Sequence, residues 1–235
     1  MKEKDLFKIS LVVITIFMLI QLSISYMKDV QLTFLDKLIP ITKINTDKKV
    51  VAFACNVYEG NEEIEKMLEV MKKKGVKISF FLGGIWVKNN TECTKKIMAY
   101  GHEIQNHGYM HKKSSVLSRQ SNMDEITKTE NIIFEVTGKR TNLFEPPYGD
   151  YDDRTIEIAN KLGYRVVTWS IDTIDWREDA TKELILERIR KKLHPGGIIL
   201  IHPKKITSES IENIIDYIHN EGYEIITVGE ILKEQ

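Results

Sequence analysis

From residue 50 onward the chain alternates short β-rich apolar runs with amphipathic stretches about seven times, which limits the fold to a parallel sheet with helices packed outside it. The first run is Val50–Cys55. In Glu62–Lys74, Ile64, Met67, Leu68 and Met71 share one helical face, and Gly75 stands where a C-terminal cap belongs. The pattern then predicts strand Val76–Leu82, helix Thr91–Tyr100 closed by Gly101, strand Glu103–Asn106, and helix Ser118–Thr137 closed by Gly138. Strand Asn142–Phe144, helix Asp153–Leu162, strand Tyr164–Ser170, helix Thr181–Leu193 and strand Gly197–Ile201 follow. Helix Ser208–Asn220, strand Tyr223–Thr227 and a short helix Val228–Lys233 close the chain. An open doubly wound sheet and a closed barrel both fit this order. No GxGxxG follows the first strand, which argues against a nucleotide cofactor.

The N-terminus has a different character. Lys2, Lys4 and Lys8 precede an apolar run from Ile9 to Ile24 that has no polar face. Its length is near the short limit of a membrane span, roughly 17 residues, and the lysines set its N-terminal end in the cytoplasm. The expected organisation is a cytoplasmic segment 1–8, a signal anchor 9–26, a tether 27–48 and a domain 49–235. The domain would then lie outside a membrane that the chain crosses once, or be secreted if cleavage occurs near Ser23 or Ser25. The formal net charge is +0, so bulk electrostatics give no pointer to nucleic acid. Cys55 and Cys93 fit no CxxC pattern; they are either buried thiols or, in an exported domain, a disulfide.

The residues with chemical potential follow the expected strands, where barrel enzymes place their sites. His107 and His111, four apart, could face one metal ion, or be polar surface residues. His202 sits at the mouth of a buried apolar strand, as an acid or base or as a histidine satisfied by backbone. In Asp172-Thr-Ile-Asp175-Trp176 one carboxylate could orient an imidazole, whereas turn capping would also explain both aspartates. Glu145-Pro-Pro-Tyr148-Gly149 is a stiff turn able to aim a backbone N–H at a developing oxyanion, or simply a turn.

In order and spacing, these motifs resemble the polysaccharide deacetylases, the NodB-homology domain of carbohydrate esterase family 4, over about Val50–Leu232. The resemblance implies a distorted, incomplete (β/α) barrel of about seven parallel strands with outer helices, preceded here by one N-terminal transmembrane helix. It implies a divalent metal, usually zinc, on His107 and His111, with metal-activated water attacking an acetamide of a cell-envelope glycan such as peptidoglycan. It implies His202 as the acid that protonates the leaving amine, Asp175 as the group that tunes it, and Tyr148 as the oxyanion donor. Trp176 and Leu200 would wall the pocket for the acetyl methyl. The first motif departs from the family: Asn56 stands for the base aspartate, Val57 or Tyr58 for the metal aspartate, and Glu145 for the arginine that pairs with the base. Gly60, one residue further on than usual, resembles the sporulation-type, PdaB-like branch. Three readings stay open at this point. The first is a working deacetylase in which Glu145 or Glu59 supplies the missing carboxylate. The second is a pseudoenzyme that binds glycan, and the third is a structural module of the envelope.

Overall fold

The computed structural model describes residues 13–27 and 39–234. The chain divides into two units, Met1–Ile39 and Pro40–Gln235. In the first, residues 13–27 form helix α1, whose apolar side chains such as Phe17 and Leu22 are exposed. Among the described residues no helix is long and apolar enough to cross a membrane, so the expected anchor gains no support. Residues 1–12, which include the start of that segment, and 28–38 of the expected tether lie outside the described residues.

The second unit runs β1 (Val50–Val57), α2 (Asn61–Lys74), β2 (Ser79–Leu82), α3 (Gly84–Asn89), α4 (Thr91–Ala99), β3 (Glu103–Asn106) and α5 (Arg119–Thr137). It continues β4 (Leu143–Phe144), α6 (Asp153–Lys161), β5 (Arg165–Val166), β6 (Ile171–Asp172), α7 (Lys182–Lys192), β7 (Gly197–Ile201), α8 (Lys205–Ser208), α9 (Ile211–Asn220), β8 (Glu224–Ile226) and α10 (Val228–Ile231). Seven strands follow one path, β5-β4-β3-β2-β1-β7-β6, and β8 adds to β1. Every named pairing is parallel. The result is a half-barrel with outer helices.

Caps set the helix limits. Ser118 accepts the Ser121 N–H, Thr181 the Leu184 N–H, and Asp152 closes a capping box with Thr155. Gly75 and Gly138 end α2 and α5 in the left-handed conformation.

Two departures from the sequence reading shape the barrel. Tyr164–Ser170 is not one strand. β5 ends at Val166, and after a short break the chain starts β6 beside β7. The gap between β5 and β7 is spanned by residues assigned to the tether. Ile41 bridges Val167 and Lys43 bridges Gly197. Ile41 donates to the Val166 carbonyl and accepts from Thr168, and Ile44 donates to the Gly196 carbonyl. Ile41 and Ile44 are buried, so the compact unit starts at Pro40, ahead of residue 49. The second departure is α3, a short helix inside what reads as a loop.

The core has two parts because strand side chains alternate. On β1, Val51, Phe53, Cys55 and Val57 face the outer helices, while Val50, Ala52 and Ala54 face the barrel interior with Phe81, Ile198 and Val167. Cys55 and Cys93 are both buried and free.

Candidate functional site

The inward parity of each strand carries into its C-terminal end, and that places the polar residues. After Val50, Ala52 and Ala54 the next inward position on β1 is Asn56; after Ile198 and Leu200 on β7 it is His202. By the same count Gln105 leads to His107, and Leu143 to Glu145. Ile171 packs outward, so Asp172 points in. A cleft of about 570 Å³ opens at this end of the barrel, lined among others by Asn56, His107, His111, Asp172, His202 and Leu200. Tyr58, Tyr148, Trp169 and Trp176 give it aromatic walls. Of the sequence-predicted residues only Glu145 and Asp175 stay off the lining.

One half of the cleft is a fixed acid–imidazole pair. Asp175 is 1% exposed. Its Oδ1 lies 2.7 Å from His202 Nδ1, and its Oδ2 accepts the His202 backbone N–H at 2.7 Å and the Thr207 hydroxyl at 2.6 Å. An ionised carboxylate only accepts, so His202 carries its proton on Nδ1 and keeps the Nε2 lone pair free. The turn that delivers Asp175 is strained: Ile174 has φ 53°, stabilised by its N–H donating to Asp172 Oδ1 at 2.8 Å.

The other half holds the two histidines. His107 Nδ1 donates to the Glu145 carbonyl at 2.6 Å, which leaves Nε2 as its free nitrogen. Burial holds its pKa well below the usual imidazole range. His111 has φ 54°, and the loop that carries it is pinned from three sides. Asn106 Oδ1 accepts the Gly108 N–H, Glu125 accepts the Met110 N–H, and the first amides of α3 donate to the Gly108 and Tyr109 carbonyls. Neither α3 nor Glu125 figures in the sequence reading as part of the site. Burial, and then His202, lower the pKa of His111 as well.

What stands beside this pair decides the chemistry. The Tyr58 ring stacks on the His111 ring with centroids 4.7 Å apart and 24° between planes, and Tyr148 (φ 63°) closes on His111 at 4.6 Å. Among the described residues no group of three His, Cys, Asp or Glu side chains is placed to hold a metal ion. A zinc site takes three protein donors plus water. Two imidazoles under a tyrosine face do not fit that requirement.

Asn56 does not replace a base either. Its Nδ2 donates to Glu145 Oε1 at 2.7 Å, and Glu145 is wholly buried behind it, with its second oxygen and Asn56 Oδ1 unpartnered among the described residues. Burial, with Asp172 adding to it, pushes the Glu145 carboxyl up to about 8, although the Asn56 bond pulls the other way. At neutral pH the carboxyl therefore holds a proton. Its effect on stability has a definite sign. The folded pKa lies above the unfolded one, so this contribution is complete below about pH 4.3 and is lost as pH rises toward about 8. Glu145→Gln keeps the shape and removes the titration. In urea titrations the variant is expected to match the native chain at acid pH. At pH 9 it should be more stable by several kcal/mol, because each tenfold change in proton affinity is worth about 1.4 kcal/mol. An equal difference at both pH values would contradict a buried neutral carboxyl.

The family described as polysaccharide deacetylase matches residues 43–167. The uncharacterized protein YlxY of Bacillus subtilis is 42% identical over 83% of this chain, and the match spans 61% of that protein's length. The peptidoglycan-N-acetylmuramic acid deacetylase PdaA of Bacillus subtilis is 29% identical over 81% of this chain and 74% of its own. Among solved structures, BA3943 of Bacillus anthracis, described as a CE4 family pseudoenzyme, superposes with TM-score 0.81 at 35% identity over 83% of this chain and 69% of that one. A mutant of it, described as having restored enzymatic activity, superposes equally well, with TM-score 0.81.

Proposed function

The chain belongs to the polysaccharide deacetylase family, and on that premise we propose that its cleft binds an N-acetylated cell-envelope glycan of the peptidoglycan type without releasing acetate from it. One observation carries this reading: Tyr58 lies face to face on His111, at the end of β1 where the histidine pair needs a carboxylate. The deacetylases among the relatives supply the substrate class by analogy, and the pseudoenzyme neighbour supplies a precedent for a silent centre. A rearranged base finds no support. Glu145 is off the cleft, and Glu59, which lines it, is paired to Lys204.

What remains suits recognition. Trp176 is 53% exposed and Tyr148 62% at the cleft mouth, and sugar rings pack on such faces. Leu200 and Trp169 give an apolar wall for an acetyl methyl. The lysines ahead of the apolar N-terminal run support a further part of the proposal, that the domain is held on the outer side of the cell membrane.

The test is calorimetric titration with N-acetylglucosamine oligomers and peptidoglycan fragments, alongside an acetate assay with added zinc. Binding without acetate is expected. Trp176→Ala should weaken binding about three- to tenfold, the measure of one aromatic contact at roughly 0.5–1.5 kcal/mol. Acetate release that vanishes in His202→Ala would overturn the reading in favour of a deacetylase.

A further inference from the structure

The loops that carry His111 and Tyr148 continue past the cleft as one fixed surface. Ser115 donates its N–H and its hydroxyl to the two oxygens of Asp150, at 2.8 and 2.9 Å, and Arg154 donates to the Ser115 carbonyl at 2.8 Å. Asn122 of α5 donates to the Ser114 carbonyl at 2.9 Å. These bonds set the turn of Val116 beside the turn of Tyr151. The second turn is also seated on the cleft wall, for a Cβ on Gly149 would come within 2.7 Å of the Trp169 ring. The side chains left facing water are large and apolar. Val116 is 76% exposed, Met110 45% and Tyr151 40%, and they extend the aromatic mouth that Tyr148 begins. Loops already fixed in place can take a ligand on such side chains without being ordered first.

Two cations stand free at this rim. Lys113 Nζ lies 5.9 Å from the centre of the Tyr148 ring, and neither it nor Lys112 has an ion-pair partner among the described residues. Carboxylates of the surrounding loops and helix are already engaged: Asp150 by Ser115, Asp152 by Arg154, and Glu125 by the Met110 N–H. Lys204, which also lines the cleft, is by contrast neutralised by Glu59. We propose that this rim is a subsite for the sugar linked to the one held in the cleft, and that it selects a sugar bearing a carboxylate. The apolar face of that sugar packs on Tyr151 and Val116, and its carboxylate meets Lys113. Lys113 lies against a residue of the cleft wall, so the acidic group within its reach belongs to the directly linked sugar and not to a distant chain end. The bound strand therefore has a direction, with its acidic sugar toward Lys113 and neutral sugar toward the side where lysine is already paired.

The inference rests on the reading of a cleft that binds N-acetylated glycan. The full chain is titrated calorimetrically at low salt with the N-acetylglucosamine disaccharide, with an alternating N-acetylglucosamine–N-acetylmuramic acid tetrasaccharide, and with the same tetrasaccharide after its carboxyls are amidated. The free acid is expected to bind about three- to tenfold tighter than its amidated twin, the scale of one or two exposed charge pairs. The gap should narrow as salt is raised. The double variant Lys112→Gln, Lys113→Gln should erase the gap and leave the affinity of the amidated twin unchanged, which also shows that the variant is folded. Tyr151→Ala should weaken both tetrasaccharides about threefold or more and leave the disaccharide unchanged. Equal affinity of the twins, or a gap that survives in the double variant, overturns the acidic subsite and leaves glycan binding standing. Binding of the free acid alone, abolished in the double variant, upholds the subsite and sinks the cleft reading. If none of the three ligands binds, both fall.

Discussion

Tyr58→Asp is expected to give the histidine pair its third donor and to raise zinc affinity by on the order of a hundredfold or more, the scale on which metal sites respond to lost or gained partners. The geometry supports a large effect. Tyr58 already projects onto His111, with ring centroids 4.7 Å apart, so a shorter carboxylate at that position faces the same imidazole without moving β1. His107 needs no adjustment, because its Nδ1 is committed to the Glu145 carbonyl and Nε2 is free. Removing the tyrosine also opens the cleft. Calorimetric zinc titration reads the result directly. Equal zinc binding by the native chain and the variant would show that Tyr58 is not what keeps the site from holding metal.

Metal alone should not bring acetate release. Asn56→Asp would place a second carboxyl at hydrogen-bond distance from Glu145, and two buried carboxyls there share one proton, so the new base would be silenced. Activity is therefore expected only when Tyr58→Asp and Asn56→Asp are combined with Glu145→Gln, whose amide can donate to the new aspartate. Acetate release by Tyr58→Asp alone would mean that the base comes from elsewhere in the cleft, with Asp172 the carboxylate to examine next.

The sequence carries the elements whose signals are local. Helix α5 begins after Ser118 and ends at Gly138 because a hydroxyl cap and a left-handed glycine act within one turn of the chain. The strand ends that hold His107, His111, Asp175 and His202 follow from the regular alternation. The losses are equally physical. Tyr164–Ser170 is rich in β-formers throughout, yet β5 ends at Val166, Val167 and Thr168 pair with Ile41 of the strap instead, and the next strand begins only at Ile171. α3 is a single short helix opening on two glycines, too short for periodicity to show. The Asn56–Glu145 bond joins residues 89 positions apart, and the identity of the two side chains hints at an altered pair without saying that one hides the other. The Tyr58–His111 stack had no local signal at all: it depends on how two loops from different strands meet.

The strap across the open side of the barrel carries the other large effect. Residues 40–46 read as linker because no periodicity marks them, yet Ile41 and Ile44 are 9% and 1% exposed, with three backbone hydrogen bonds to Val166, Thr168 and Gly196. Burying two isoleucines contributes roughly 1.5–3 kcal/mol each, and each hydrogen bond about 1. The sum is a large fraction of the ~5–15 kcal/mol that holds a domain together. A chain starting at residue 49 is thus expected to be unfolded or molten where one starting at 40 folds cooperatively in urea. A point variant isolates the contact. Gly196 has φ +73°, and a Cβ there would lie 1.9 Å from the Ile44 carbonyl oxygen, backbone against backbone. Gly75, at φ +70°, has nothing within 4 Å of the same added atom. Both alanine variants carry left-handed strain of about 1–2 kcal/mol, but only Gly196→Ala must also push the strap off the barrel wall. Its loss should exceed that of Gly75→Ala by several kcal/mol, and equal losses would mean that the strap lies against the barrel without holding it.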